Sequence, residues 1–172
     1  MNLIAEAIAH HLGPNMNGPL SGIRVLELGS FIAGPFAGQL LGDYGAEVIK
    51  VEPPEVGDPM RKWGHCDEKG HSFWWPAIAR NKQSIAINLR SDQGRYIVRQ
   101  LALQSDVILE NCTPGRLEEW QLGYETLAKG NPGLIMTHVS GFGQTGPRAT
   151  DPGFGSIGEA MGGIRHTTGW PD

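Results

Sequence analysis

Four stretches of the chain carry residue types and spacings that could do chemistry. Gly141-Phe142-Gly143-Gln144-Thr145-Gly146 has the spacing of a glycine string that wraps a dinucleotide pyrophosphate. That use requires the string to open a helix, and Pro147 and Pro152 close behind it argue against one. What remains is a glycine-rich loop following a predicted strand, and strand ends of that kind are where open α/β sheets bind ligands. Gly29-Ser30-Phe31-Ile32-Ala33-Gly34-Pro35 leads from a strand into a predicted helix start, whose free N–H groups favour an anion. Asn111-Cys112-Thr113-Pro114-Gly115 does the same after a later strand. Asn88-Leu89-Arg90 closes another strand with a guanidinium suited to phosphate. Each stretch is also what an ordinary turn looks like; together at one sheet edge they point to a nucleotide-like ligand.

Reactive centres are poorly supported by comparison. His65, Cys66 and His71 lie close in sequence but lack a metal-ligand spacing, so no metal is expected. Cys112 follows a strand at a helix start, where thiol pKa values fall, although a small buried residue fits the same place. Ser140-Gly141 is no nucleophile elbow, because G-x-S-x-G is absent. Asp43, Asp58, Asp92, Asp106 and Asp151 stand where turn or cap chemistry suffices.

The elements that must position these residues follow from periodicity. Residues 1–18 read as an extra N-terminal helix with Leu3, Ile4, Ile8 and Leu12 on its apolar side, ended by Gly13-Pro14. Strands are predicted over 22–29, 46–52, 83–89, 106–111 and 133–140. Helices are predicted from Pro35 to about Tyr44, over 92–104 capped by Ser91, and from a Thr113-Pro114 start to about Gln121. Residues 53–80 read as a long irregular loop, with Trp63, Trp74 and Trp75 among its glycines and prolines. Strands alternating with helices specify an α/β domain built on a mainly parallel sheet.

Composition narrows the class. The 172 residues are 40% hydrophobic and 19% charged, with a formal net charge of −4. That balance excludes a disordered tail, a coiled coil and a nucleic-acid-coating protein. No apolar run reaches the ~20 residues of a membrane span, and the first residues lack the basic start of a secretory signal. With only two cysteines, not spaced as a disulfide framework, a reducing cytoplasm is expected. Residues 50–99 hold nine of the 14 Lys and Arg against six acids, which suggests an anion site gathered within an acidic protein.

Several ordered motifs then take on a common meaning. Pro19-Leu20, Gly22-Ile23, Val25-Leu26-Glu27, Ala33-Gly34-Pro35-Phe36-Ala37 and Gly45-Ala46-Glu47-Val48-Ile49-Lys50-Val51-Glu52 resemble the opening of the family III CoA-transferases. Gly57-Asp58-Pro59-Met60-Arg61, Asn81-Lys82, Ser84-Ile85, Glu110-Asn111, Pro114-Gly115 and Ser140-Gly-Phe-Gly-Gln-Thr-Gly-Pro147 continue the series in order. The resemblance covers residues 19–172 and implies a Rossmann-like sheet with flanking helices, CoA and acyl-CoA as substrates, and no permanently bound cofactor. It implies CoA contacts at Ile32 and Ala33, at Ile87, Asn88, Leu89 and Arg90, and at Asn111, Cys112 and Thr113. It also implies a small carboxylic acid as acceptor and, in the full-length enzyme, an interlocked homodimer.

Departures from the family pattern shape these expectations. Glu119 and Ser140 stand where some members have basic residues, so Arg116 or Arg61 is expected to meet the phosphates instead. Ile32 replaces the glutamine of oxalate-acting members, which makes oxalate an unsuitable acceptor. The family's aspartate nucleophile forms a mixed anhydride and then an aspartyl-CoA thioester, and it lies shortly after a segment matching Gly169-Trp-Pro-Asp172. It is therefore expected beyond Asp172, with this chain supplying the CoA-binding half and having no transferase activity alone. Two alternatives stay open: a CoA or nucleotide-binding module without turnover, and a nicotinamide-dependent oxidoreductase.

Overall fold

A computed structural model of the chain describes residues 18–170; the N-terminal helix expected over 1–18 lies almost wholly outside them. Five strands form one sheet: β1 (Arg24–Glu27), β2 (Glu47–Glu52), β3 (Lys82–Ala86), β4 (Val107–Glu110) and β5 (Ile135–His138). Their order is β3-β2-β1-β4-β5 and every pairing is parallel. The α/β, Rossmann-like expectation is met. The order reverses between β1 and β4, so their carboxyl ends flank the crevice where such sheets bind ligands.

Helix α1 (Ala33–Asp43) covers one face of the sheet, and α3 (Asp92–Ala102), with the short α4 (Arg116–Glu119) and α5 (Tyr124–Leu127), the other. On the α3 side Leu26, Ile49, Val51, Val98, Leu101, Ile108, Leu117 and Leu127 make an apolar core. The α1 side begins in the same way, with Val25, Val48 and Leu109. Farther along the strands it turns ionic: Glu27, Lys50 and Glu52, all buried, alternate with the apolar residues of the opposite face. Glu27 stands directly across the ladder from Lys50, and Lys50 from Ser84.

The close approach of α1 explains how this is possible. Gly34, Gly38 and Gly42 recur every four residues and form a row that faces the sheet. A Cβ at Gly38 would overlap the Glu27 carboxylate, and one at Gly42 would come 3.1 Å from the Asn81 carbonyl. The helix therefore presents backbone to the charges, packs Ala37 and Leu41 on the apolar part of that face and turns Phe36 and Leu40 outward.

The irregular reading of 53–80 needs correction. A 3₁₀ turn spans Pro59–Lys62, capped by Asp58 (Oδ1 accepts from Met60 N at 2.8 Å), and Trp74–Ala79 forms a short helix, α2. Pro76 sits in its first turn, where its missing N–H costs nothing. The Thr113-Pro114 helix start also differs. Arg116 N bonds Thr113 O at 3.0 Å across a turn with Gly115 at φ 87°, and the helix begins only after it. Pro-Gly favours that tight turn over helix initiation. Two helices not expected from the sequence, α6 (Gly155–Met161) and α7 (Ile164–Thr167), bury no residue. The Ser91 cap holds as expected, its Oγ accepting from Gly94 N at 3.0 Å.

Glycine-to-alanine changes in exposed helix interiors gain about 1 kcal/mol. At Gly38 the sign should reverse, because Glu27 is pinned and buried and has nowhere to move. Gly38→Ala is expected to lower stability by about 1–3 kcal/mol in urea denaturation. An unchanged or raised midpoint would show that α1 does not seal the charges.

Candidate functional site

The site begins from the buried charges, because they fix the loop that leaves β1. Lys50 Nζ lies 2.8 Å from Glu27 Oε1, 2.7 Å from Asp58 Oδ2 and 2.9 Å from the Gly29 carbonyl. Lys82 Nζ reaches Glu27 Oε2 at 2.7 Å and the Pro35 carbonyl at 2.6 Å. Arg61 grips Glu52 with two donors at 2.7 and 2.8 Å, and Glu52 Oε2 accepts from Asp58 N at 2.7 Å. Three carboxylates and three cations thus form one balanced cluster. Burial pushes the Lys82 ammonium pKa down, against the pull of Glu27. Burial likewise works to raise Glu52, but the hydrogen bonds from Arg61, Ser84 and Asp58 N outweigh it and hold the pKa at about 2.

The cluster shapes the first predicted ligand turn. Lys50 bonds the carbonyl of Gly29, and Asp58 Oδ1 accepts from Phe31 N at 3.2 Å. Phe31 sits at φ 62°, a left-handed backbone that a bulky residue adopts only under constraint. Its ring meets Trp63 edge-on at 5.3 Å. Asn111 clips the same loop across the switch point: Oδ1 accepts from Ser30 N at 2.8 Å and Nδ2 donates to Ser30 O at 2.9 Å. Ile32 and Ala33 follow, exposed, at the start of α1, where no side chain caps the free N–H groups. The first and fourth strand exits are therefore one structure. The Asn111 side chain is spent on joining them, which leaves its backbone and Thr113 as the parts facing outward.

The β3 exit is equally fixed. Ile87 is buried and Leu89 half-buried, whereas Asn88 and Arg90 are exposed. Asn88 Oδ1 accepts from Arg90 N at 3.0 Å, and Arg95 donates to the carbonyls of Leu89 and Arg90 at 3.2 and 3.0 Å. Arg95 also pairs with Asp92. Gly94 allows α3 to pack against the Asn88 carbonyl, which a Cβ would strike. Among the described residues the Arg90 guanidinium has no partner, so it is free to meet an anion.

Most other cations of residues 50–99 are committed to acids, inside the fold or at its surface. Lys50, Lys82, Arg61, Arg80 and Arg95 all hold carboxylates, so most of the local positive excess over 50–99 balances acids instead of forming an open anion site. Arg61 also stacks over Trp75 at 4.0 Å. Arg116 pairs with Glu119 at 2.9 Å, both exposed, and keeps freedom to turn. Cys112 is not activated: burial, followed by the neighbouring Glu110 carboxylate, pushes its thiol up to about 12. No group of three or more His, Cys, Asp or Glu that could hold a metal occurs among the described residues. The Gly141–Gly146 string opens no helix; the chain turns until Gly153 packs its backbone on Gly141, closing a loop on which Arg148 stacks over Phe142. The dinucleotide context is thus absent. Sequence reasoning missed Arg95, Asp58, Lys50 and Lys82 as positioning residues; the alternating charges of β2 were the available signal.

The model of CoA-transferase family III matches residues 20–172. The chain belongs to that family. A Chloroflexus aurantiacus protein named succinyl-CoA–D-citramalate CoA-transferase is 64% identical over 154 residues, covering 90% of this chain and 38% of the relative. Mouse succinyl-CoA:glutarate CoA-transferase is 46% identical, covering 90% of this chain and 35% of the relative. The solved CAIB/BAIF family protein of Brucella suis superposes with a TM-score of 0.83 at 44% identity, covering 91% of this chain and 42% of that one. The family III chain spans about two fifths of the length of the curated relatives it matches.

The Glu52 carboxylate gives a pH test of the cluster. Its folded pKa is depressed from 4.5 to about 2, so its contribution is complete above 4.5 and lost as pH falls toward 2. Over that interval the wild type is expected to lose about 2–3 kcal/mol more stability than Glu52→Gln, whose amide cannot titrate. Acid denaturation curves of equal slope for the two would overturn this assignment.

Proposed function

We propose that the protein moves CoA between a CoA thioester and a small carboxylic acid, and that residues 19–172 supply its CoA-binding half. The observation that carries the reading is the family match falling on a sheet whose exits from β1, β3 and β4 open on one edge. On this reading the nucleotide end of CoA lies along that edge. Ile32 and Ala33 offer α1 N–H groups to a phosphate, and Asn88–Arg90 present the Arg90 guanidinium. Ile87, Leu89 and Cys112 support these turns from beneath, the backbone at Asn111 and Thr113 lines the crevice, and Arg116 supplies a second movable cation. Arg61 acts through Glu52 and Asp58 on the loop.

The reaction that this arrangement serves is an exchange through an enzyme carboxylate. An aspartate attacks the thioester carbonyl and CoA thiolate leaves, forming a mixed anhydride. The thiolate then attacks the aspartyl carbonyl, releases the donor acid and leaves an aspartyl-CoA thioester. The acceptor carboxylate repeats the two steps in reverse order. Each described aspartate is already engaged: Asp43 with Arg80, Asp58 with Lys50, Asp67 with His71, Asp92 with Arg95, Asp106 with Arg24 N and Asp151 with Arg148. This supports a nucleophile supplied by chain outside 18–170. The relatives' names favour succinyl-CoA as donor and a C4–C5 dicarboxylic acid as acceptor. Two relatives named as alpha and beta subunits favour a dimer of the full-length protein, and two free cysteines fit a reducing cytoplasm.

Arg90→Ala is expected to weaken CoA binding about tenfold or more, in line with the loss of one charge-assisted phosphate contact. Isothermal calorimetry with CoA and with 3′-dephospho-CoA checks this, and equal affinity of wild type and variant removes Arg90 from the site. Transfer of label from succinyl-CoA to a panel of dicarboxylates, present in the full-length protein and absent from residues 1–172 alone, tests the activity. CoA binding without transfer by the full-length protein would instead establish a binding module.

A further inference from the structure

The exit of β4 is held from beneath by a carboxylate that the ligand edge does not itself display. Glu110 ends β4 directly across the ladder from His138, the last residue of β5. Both follow Ile108 and Met136, two residues earlier on their strands, onto the α3 face of the sheet. The Glu110 side chain is almost wholly buried there, and each of its oxygens has one donor. Oε1 accepts from His138 Nδ1 at 2.6 Å, and Oε2 accepts from Cys112 N, two residues on, at 2.6 Å. A carboxylate only accepts, so Nδ1 carries the hydrogen of the first bond. Among the described residues His138 is the side chain that bonds Glu110, because Arg116 in neighbouring α4 is turned to Glu119 and Trp120.

The second bond sets the exit. Cys112 N–H points into the fold, so across a trans peptide the Asn111 carbonyl points away from Glu110. Asn111 is also the residue that clips Ser30 in the β1 exit, with bonds of 2.8 and 2.9 Å. We propose that His138 is a positioning residue for the CoA edge: it pins Glu110, and through Glu110 the Asn111–Cys112 peptide that joins the exits of β4 and β1. The part that concerns CoA rests on the functional reading above; the pinning itself does not. Without the Nδ1 donor, Oε1 is left buried and unfilled, which costs more than the bond itself contributes. The carboxylate then turns toward water, and its bond to Cys112 N goes with it. A route to water exists, because β5 is the outer strand of the sheet and the His138 side chain is 22% exposed.

The test compares two variants of the full-length natural protein. His138→Phe keeps a ring without a donor, and His138→Asn puts Nδ2 in the place of Nδ1. Hydrogen exchange resolved to single amides is expected to rise at least about tenfold at Cys112 and Ser30 in His138→Phe. It stays unchanged at Arg90 N, in the separately braced β3 exit, and returns to the wild-type pattern in His138→Asn. In transfer from succinyl-CoA, His138→Phe is expected to raise KM for the thioester about three- to tenfold at unchanged kcat, and His138→Asn to restore it. Unchanged exchange at Cys112, or a rise shared by Arg90, overturns the proposal. A normal KM in a variant whose Cys112 amide has loosened overturns it too, because the pinned peptide then does not serve CoA. Failure of the functional reading shows separately, as a wild type that neither binds CoA nor transfers it, and the exchange pattern then decides the pinning alone.

Discussion

Three buried carboxylates and three cations, Glu27, Asp58 and Glu52 with Lys50, Lys82 and Arg61, are the constraint on which the rest of this structure depends. Charges taken out of water are stabilising only if every one is matched and its remaining hydrogen-bonding groups are satisfied. Here the match is nearly complete. Lys50 is shared by two carboxylates and a carbonyl, Lys82 by a carboxylate and a carbonyl, and Glu52 accepts from a guanidinium, a hydroxyl and a backbone N–H. An apolar set of equal volume could be as stable. What it would not supply is direction: ion pairs fix geometry where apolar contacts accept many arrangements, and the partners of this cluster include the loop leaving β1.

That direction has consequences at the ligand edge. Asp58 belongs to the segment after β2, yet it holds Phe31 N in the loop after β1, and Lys50 in the middle of a strand holds Gly29 O. The left-handed Phe31 is maintained from beneath by these bonds, and Asn111 maintains the neighbouring Ser30 from the side. The strain of a non-glycine residue at positive φ persists only when its surroundings over-determine it, and here two separate anchors do so. The β3 exit is braced independently by Arg95 and the Asn88 turn. The edge is thus preorganised, with its free groups, the α1 N–H donors and the Arg90 guanidinium, displayed on backbone that does not need to be ordered by a ligand.

The same economy of cations separates binding from support. A count of lysines and arginines over residues 50–99 suggests an open positive patch. In the fold most of them face inward or hold surface acids, and Arg90 remains as the cation without a partner among the described residues of the β3 exit. What this edge offers an anion is therefore a few well-placed charges together with helix and backbone N–H groups, not a broad electrostatic field.

The sequence by itself determined the α/β class, the five strands in their places, the Ser91 cap, the failure of the glycine string as a dinucleotide fingerprint, and the turns that gather at one edge. These features are local: a period, a cap residue or a proline acts within a few positions, and parallel strands alternating with helices leave one edge for their exits. The tertiary structure alone decided what the alternating residues of β1 and β2 do. Val25-Leu26-Glu27 and Val48-Ile49-Lys50-Val51-Glu52 have the pattern of strands with one solvated face, but both faces are covered and the charges are buried as pairs. Alternation records which residues share a face, not whether that face meets water. That depends on how closely the next layer approaches, and here it was set by Gly34, Gly38 and Gly42 on a helix brought over the strands by the crossover.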